Sequence, residues 1–222
     1  MRARHRLSKF LLRRGMRFPG RAWTQPHERW LGTRRFDDAL SQAVFIDYCC
    51  AVDALVHRRR ALIGVLEDAV PASSHAETVA RLRCFRGIDT LSAAGVCADV
   101  GSFDRFAKPA LLSGFLGIVP SEYSSDSKRV QGTITKAGPT HARRLLVEAA
   151  HHYRRRPRVG DGLAARQADQ DPRVVQIGWR AQRRLHSRWA HLGQRRGKPT
   201  GTVAIACARE LAAFCWEAAT LN

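Results

Sequence analysis

A mainly α-helical fold follows from three patterns in the chain. Apolar residues Val44, Tyr48, Val52, Leu55, Leu62 and Leu66 recur at spacings of three, four and seven, the signature of one helix face. Val203, Ala204, Cys207, Leu211, Phe214, Cys215 and Ala218 repeat that pattern near the C-terminus. Asp171-Pro172 sets a capping carboxylate beside a first-turn proline, which starts a helix strongly. At most a small hairpin is expected beside these helices, in the polar segment from Ser121 to Lys136.

Residues 1–22 form a basic helical arm: MRARHRLSKFLLRRGMRF carries no acid, and Phe18-Pro19-Gly20 breaks its helix. A dense basic run of this kind reads as a nucleic-acid-facing arm, with a solvated charged face as the plainer alternative. Residues 23–71 are a connector, from Trp23 to Trp30, and a long amphipathic helix from about Asp38 to Val70. Unbroken, that helix spans roughly 50 Å at 1.5 Å per residue. It needs a partner for its apolar face, either the C-terminal helices or a second copy in a coiled coil. Asp37, Asp47 and Asp53 are surface partners of Arg58, Arg59 and Arg60 rather than metal ligands. Pro71-Ala72-Ser73-Ser74 is a linker.

Residues 76–158 form the next region, with a helix-hairpin-helix candidate over 80–101. One helix ends at Phe85, Arg86-Gly87-Ile88-Asp89 turns, and a second runs from Thr90 to Asp99. A glycine turn there offers free amides and a helix dipole to a phosphate. Arg81, Arg83 and Arg86 beside Gly87 favour backbone contact with nucleic acid over an ordinary helical hairpin. A further helix is expected from Phe103 to Gly117, closed by Pro120, then a loop, then a helix from Pro139 with Ala142, Leu145, Leu146, Ala149 and Tyr153 inward. Arg154 to Gly162 is a basic linker, and 163–222 supplies C-terminal helices that pack on the preceding region.

Charge narrows the partner class. Lys+Arg 38 against Asp+Glu 19 gives a formal net charge of +19, and such an excess suits a polyanion because neutralised phosphates release counterions. Six cysteines (Cys49, Cys50, Cys84, Cys97, Cys207 and Cys215) show no C-x-x-C or zinc-finger spacing. They read as reduced core thiols of a cytoplasmic protein. No apolar run approaches the ~20 residues of a membrane span, so no membrane partner is expected.

The chemistry is expected between Leu112 and Arg156. Ser124, Ser125 and Ser127 stand on a short polar segment, followed by Lys128, Arg129 and Lys136 and by the helix that bears Arg143 and Arg144. Hydroxyls beside fixed cations suit attack on a phosphodiester.

Gly117-Ile118-Val119-Pro120, Glu122-Tyr123-Ser124-Ser125, Gly132-Thr133-Ile134-Thr135-Lys136-Ala137-Gly138 and Arg143-Arg144-Leu145-Leu146-Val147-Glu148-Ala149-Ala150 carry a resemblance. The stretch resembles the serine-bearing domain of IS-one-ten-type insertion-sequence transposases, a group that includes the Piv-type DNA invertases. The resemblance implies DNA strand cleavage and rejoining through a phosphoserine ester, with Ser124 as nucleophile and Ser125 as runner-up. Arg83, Arg86 and Gly87 of the helix-hairpin-helix candidate and Lys128, Arg129, Lys136, Arg143 and Arg144 beside the serines make up the nucleic-acid-binding set, and the resemblance implies DNA and a structured guide RNA as partners and a homo-oligomer through the long helix. Two departures stand out: Ser124-Ser125-Asp126-Ser127 where relatives carry Ser-x-Gly-Gly, and Pro139 where they carry Asn. The family's divalent metal, Mg²⁺, is held by four acidic residues of an N-terminal RNase H-like domain, and no such β-rich segment precedes Trp23. The chain therefore resembles a truncated transposase that holds no cofactor, binds nucleic acid and by itself does not cut it. The competing classes are a non-catalytic basic DNA- or RNA-binding module and a ribosome-type RNA-binding protein.

Overall fold

The computed structural model describes residues 2–125 and 128–221, with the side chains of 123–131 outside that description. The architecture is mainly α, with one two-stranded antiparallel sheet. The chain divides into two units, Met1–Val65 and Leu66–Asn222.

The first unit is built from α1 (Arg2–Arg13), α2 (Gln25–Gly32) and most of α3 (Ala39–Ala69). Leu7, Phe10 and Leu11, three or four residues apart, bury the inner face of α1 against Phe45 and Val52 of α3. Full burial of such side chains is worth about 1.5–3 kcal/mol each. The Arg14 guanidinium lies 3.7 Å from the centre of the Phe10 ring and donates to Ser41 Oγ at 2.9 Å, so the basic arm is also a wall of this core. It ends earlier than expected, at Arg13, because Gly15 takes φ +72° before Phe18-Pro19-Gly20 is reached. The expected connector from Trp23 to Trp30 is instead largely α2. Thr24 is extended at the N-cap and Pro26 occupies the first turn, where its missing N–H does no harm. His27 is buried beside the rings of Trp23, Phe18 and Trp30 at 5.0, 5.1 and 5.7 Å, and burial lowers its pKa.

Helix α3 holds to its expected face only in its first half. Val52 is buried and Val44 and Tyr48 partly so, whereas Leu55 and Leu62 are 54% and 60% exposed and Leu66 is half-buried. The stretch Ala39–Ala72 is also long and apolar enough, by length and composition, to cross a membrane. That corrects the expectation that no run approaches this length: an unbroken apolar run is absent, but the average survives Asp47 and Asp53.

In the second unit one core runs from Val79 to Ala218. Its centre is α10 (Thr200–Ala219), which contacts α4 (Ala76–Leu82), α6 (Pro109–Phe115), α7 (Thr140–Ala150) and α9 (Pro172–Trp189). Ala204, Ala208, Ala212 and Ala218 let these neighbours approach closely, and all four are fully buried. Burial pushes the thiols of Cys97 and Cys207 up to about 12, so they are inert packing groups. Asp171 caps α9 by accepting from Arg173 N at 2.7 Å.

Three elements differ from expectation. The helix expected from Phe103 begins only at Pro109, because Lys108 ahead of the proline is held extended at φ −156°, ψ 151°. The basic linker is shorter than expected by two residues, since α8 (Asp161–Gln167) begins within its end. The small hairpin allowed for in the serine segment forms, over a longer span than Val130 and Thr133 to Thr135, from β1 (Pro120–Ser125) and β2 (Lys128–Ile134).

Candidate nucleic-acid interface

Four backbone features fix the base of the serine hairpin. Gly117, Lys136 and Gly138 adopt φ +63°, +57° and +67°. A Cβ on Gly117 would collide with the Ala137 backbone, and one on Gly138 with the Phe115 carbonyl, so the two chain segments meet where only glycine fits. Lys136 N donates to Gly117 O at 3.1 Å and Thr135 N to Val119 O at 3.0 Å, extending the pairing below the strands. Arg143, on α7, then closes the base. Its Nη1 donates to Leu116 O at 2.9 Å and Ala137 O at 2.7 Å, and its Nη2 to Thr140 Oγ1 at 3.0 Å.

Helix α7 starts without a cap of its own, since Pro139 has no side-chain acceptor. Asp99, at the end of α5 (Thr90–Val100), supplies it: the carboxylate accepts from Ala142 N at 2.7 Å and lies 3.4 Å from His141 Nδ1. Sequence reading missed Asp99, because a cap reaching in from another helix leaves no local signal.

Above this base the ladder sets Ser124 opposite Arg129 and Ser125 opposite Lys128, with a bulge between Pro120 and Glu122. The side chains of Ser124, Ser125, Lys128 and Arg129 lie outside the described residues, as do Asp126 and Ser127 altogether.

The remaining expected phosphate ligands divide. Lys136 is exposed beside the hairpin base. Arg144 is exposed and paired with Glu148 at 3.0 Å. Arg143 does not face a ligand with its donors: it holds backbone carbonyls, which the sequence could not distinguish from the neighbouring arginine.

The helix-hairpin-helix candidate is a packed helical hairpin. Gly87 has the expected positive φ, +86°, but a Cβ there would stand 2.8 Å from Ala149 O and 3.0 Å from His152 Cδ2. The turn lies against the end of α7. At the N-terminus of α5 the phosphate's expected place is taken by Asp89, whose carboxylate accepts from Ser92 N at 2.8 Å. Burial pushes that carboxyl up, but the bonds from Ser92 outweigh it and lower its pKa. Arg86 donates to Arg155 O and Arg156 O at 3.4 and 2.8 Å. Arg81 caps the end of α10 through Ala218 O, Ala219 O and Leu221 O at 3.3, 3.1 and 2.8 Å. Arg83 is half-buried, with its own carbonyl accepting from Arg166 Nε at 3.0 Å. The donors of Arg81 and Arg86 are engaged within the fold, Arg83 Nε is buried without a hydrogen-bond partner among the described residues, and Gly87 is closed off by α7.

Among the described residues no group of three or more His, Cys, Asp or Glu side chains is placed to hold a metal ion.

Comparison with known proteins finds similarity to transposases. Residues 79–162, from α4 through the hairpin and α7 into α8, match the Transposase IS116/IS110/IS902 family. The chain is 37% identical over 217 residues to the putative transposase y4qE of Sinorhizobium fredii, covering 97% of this chain and 52% of that protein. It is 28% identical over 200 residues to the transposase for insertion sequence element IS1533 of Leptospira borgpetersenii, covering 89% and 58%. The transposase for insertion sequence element IS1111A of Coxiella burnetii is 35% identical over 102 residues, 46% of this chain and 28% of that protein. The chain spans little more than half the length of the first two relatives. Over residues 79–162 the chain is similar to the Transposase IS116/IS110/IS902 family, and the relatives named above are transposases.

Proposed function

We propose that this protein acts on DNA as a transposase or site-specific recombinase of an insertion sequence, with the serine hairpin as its reactive element. The observation that carries this reading is the family match over 79–162, which contains the whole hairpin and its base. In the proposed step Ser124 Oγ gives its proton to a base and forms a bond to phosphorus. The bond from phosphorus to the departing sugar oxygen breaks, and that oxygen takes up a proton. The phosphoserine ester keeps the energy of the broken linkage, so an incoming DNA hydroxyl can reverse the step and rejoin the strands. The cross-strand cation Arg129 and the exposed Lys136 are the groups proposed to stabilise charge on the phosphoryl oxygens.

DNA is the substrate in this reading. A structured guide RNA, self-association through α3 and a cytoplasmic setting belong to the same proposal. The chemistry assigned to this chain is that of the hairpin alone.

The test is capture of a protein–DNA adduct on DNA carrying the element's ends, with Mg²⁺. It is run with the chain alone and with the acidic metal-binding domain of a relative supplied in trans. Duplex binding is expected in both, and in the supplemented reaction an adduct that maps to Ser124 and disappears in Ser124→Ala. Binding with no adduct in either reaction would reduce the protein to a non-catalytic nucleic-acid-binding module.

A further inference from the structure

Between α7 and α8 the chain reads Arg154-Arg155-Arg156-Pro157-Arg158. A segment this basic would ordinarily be a solvated linker, yet its backbone has a fixed course. Tyr153, fully buried, anchors its start, and Leu163, 7% exposed, holds the helix that follows. Arg155 N donates to His152 O at 3.3 Å. The Arg86 guanidinium bonds the carbonyls of Arg155 and Arg156, and Arg158 N donates at 3.1 Å to Oε1 of Gln182, a buried side chain on α9. Pro157 biases Arg156 towards the extended conformation in the same course.

All four arginines of this tract are exposed, and among the described residues no carboxylate lies within ion-pair distance of them. Arg144, Arg173, Arg180 and Arg184 are paired instead with Glu148, Asp171, Glu217 and Glu210. Arg86 adds a fifth positive charge from beneath. The crowding is felt locally: the pKa of His152 is lowered by burial and then by Arg86, Arg155 and His151. Like charges fixed together without counter-charge destabilise the free protein, and a polyanion reverses that cost.

We propose that Arg154, Arg155, Arg156 and Arg158 form a preformed surface for the phosphate backbone of a nucleic acid, separate from the serine hairpin. The tract presents guanidinium groups and no aromatic or amide side chain, so it contacts phosphates and positions the strand without reading bases. This inference rests on the reading of the protein as one that binds nucleic acid.

The test compares two triple variants of the full chain. One carries Arg155→Gln, Arg156→Gln and Arg158→Gln. The other removes equal charge from ion-paired positions, with Arg173→Gln, Arg180→Gln and Arg184→Gln. Affinity for a duplex DNA and for an RNA hairpin is measured as salt rises about fourfold. The slope of log K on log salt is expected to fall by about 2 to 3 in the tract variant, so that the parent's loss across the range exceeds the variant's by about 40-fold. The paired-site variant is expected to change by less than half of that. The Arg→Lys version of the tract variant should keep the parent slope, since it keeps the charge. An effect on both ligands, or on one alone, supports the proposal and identifies its occupant. Equal losses in the two triple variants, or an unchanged tract variant while the parent binds, would overturn it. A parent that binds neither DNA nor RNA would instead sink the proposed function.

Discussion

Arg143 and Arg144 are adjacent in sequence and opposite in role. Arg143 is half-buried and bonds two carbonyls and a hydroxyl across the hairpin base. Arg144 makes an exposed ion pair one turn along its own helix. Hydrogen bonds from a charged donor contribute about 1.5–3 kcal/mol where the acceptor is otherwise left unpaired, whereas exposed helical pairs contribute about 0.3–0.5 kcal/mol. Arg143→Ala is therefore expected to lower stability in urea denaturation by about 2 kcal/mol, and Arg144→Ala by less than about 0.5 kcal/mol. Arg143→Lys should restore less than half of the loss, because an ammonium group lacks the planar fork that reaches two carbonyls at once. Equal effects of the two alanine variants would refute the staple. None of this was legible in the sequence, where a guanidinium reads the same whether it meets a carbonyl or a phosphate. Arg81 and Arg86 repeat the lesson: both stand where a phosphate ligand was expected, and both bond backbone.

At the scale of the element, local signals were read well and distant ones poorly. Asp171-Pro172 specified the start of α9 because cap and proline act within one turn. The inward face of α7 was legible from periodicity, and Ala142, Leu146, Ala149 and Tyr153 are buried. Trp23–Trp30, expected as a connector, is largely helix, with Pro26 in the first turn of α2 where its missing N–H does no harm. The strands around Ser124 were legible only as a small hairpin option, since their pairing depends on a base closed by Arg143 and two glycines. Helix α3 poses the remaining question of this scale. Its periodicity is regular through Leu66, yet within its unit the face is covered only as far as Val52. A groove of about 600 Å³ runs beside it, lined in part by Leu31, Ile46 and Val56 and by Arg35 and Arg60. A second α3 would cover Leu55 and Leu62 in the manner of a coiled-coil seam. The double variant Leu55→Glu, Leu62→Glu is expected to shift the protein to monomer in sedimentation equilibrium with its helical content unchanged. Retention of the parent's mass, or a parent that is already a monomer, would overturn self-association through this face.

The whole molecule contains two clusters of buried side chains with no residue in common, one between Leu7 and Val52 and one between Val79 and Ala218. With a core of its own in each unit, calorimetry of the full chain is expected to resolve two transitions, the smaller from Met1–Val65. A single transition with matching calorimetric and van't Hoff enthalpies would contradict this. Within the larger unit, the link between Asp99 and Ala142 crosses 43 residues. A helix that usually begins on its own neighbour's side chain here borrows that service from another helix. The proline at 139 and the carboxylate at 99 are then two halves of one exchange: Pro139→Asn would make Asp99 dispensable, and losing Asp99 is tolerable only after that change.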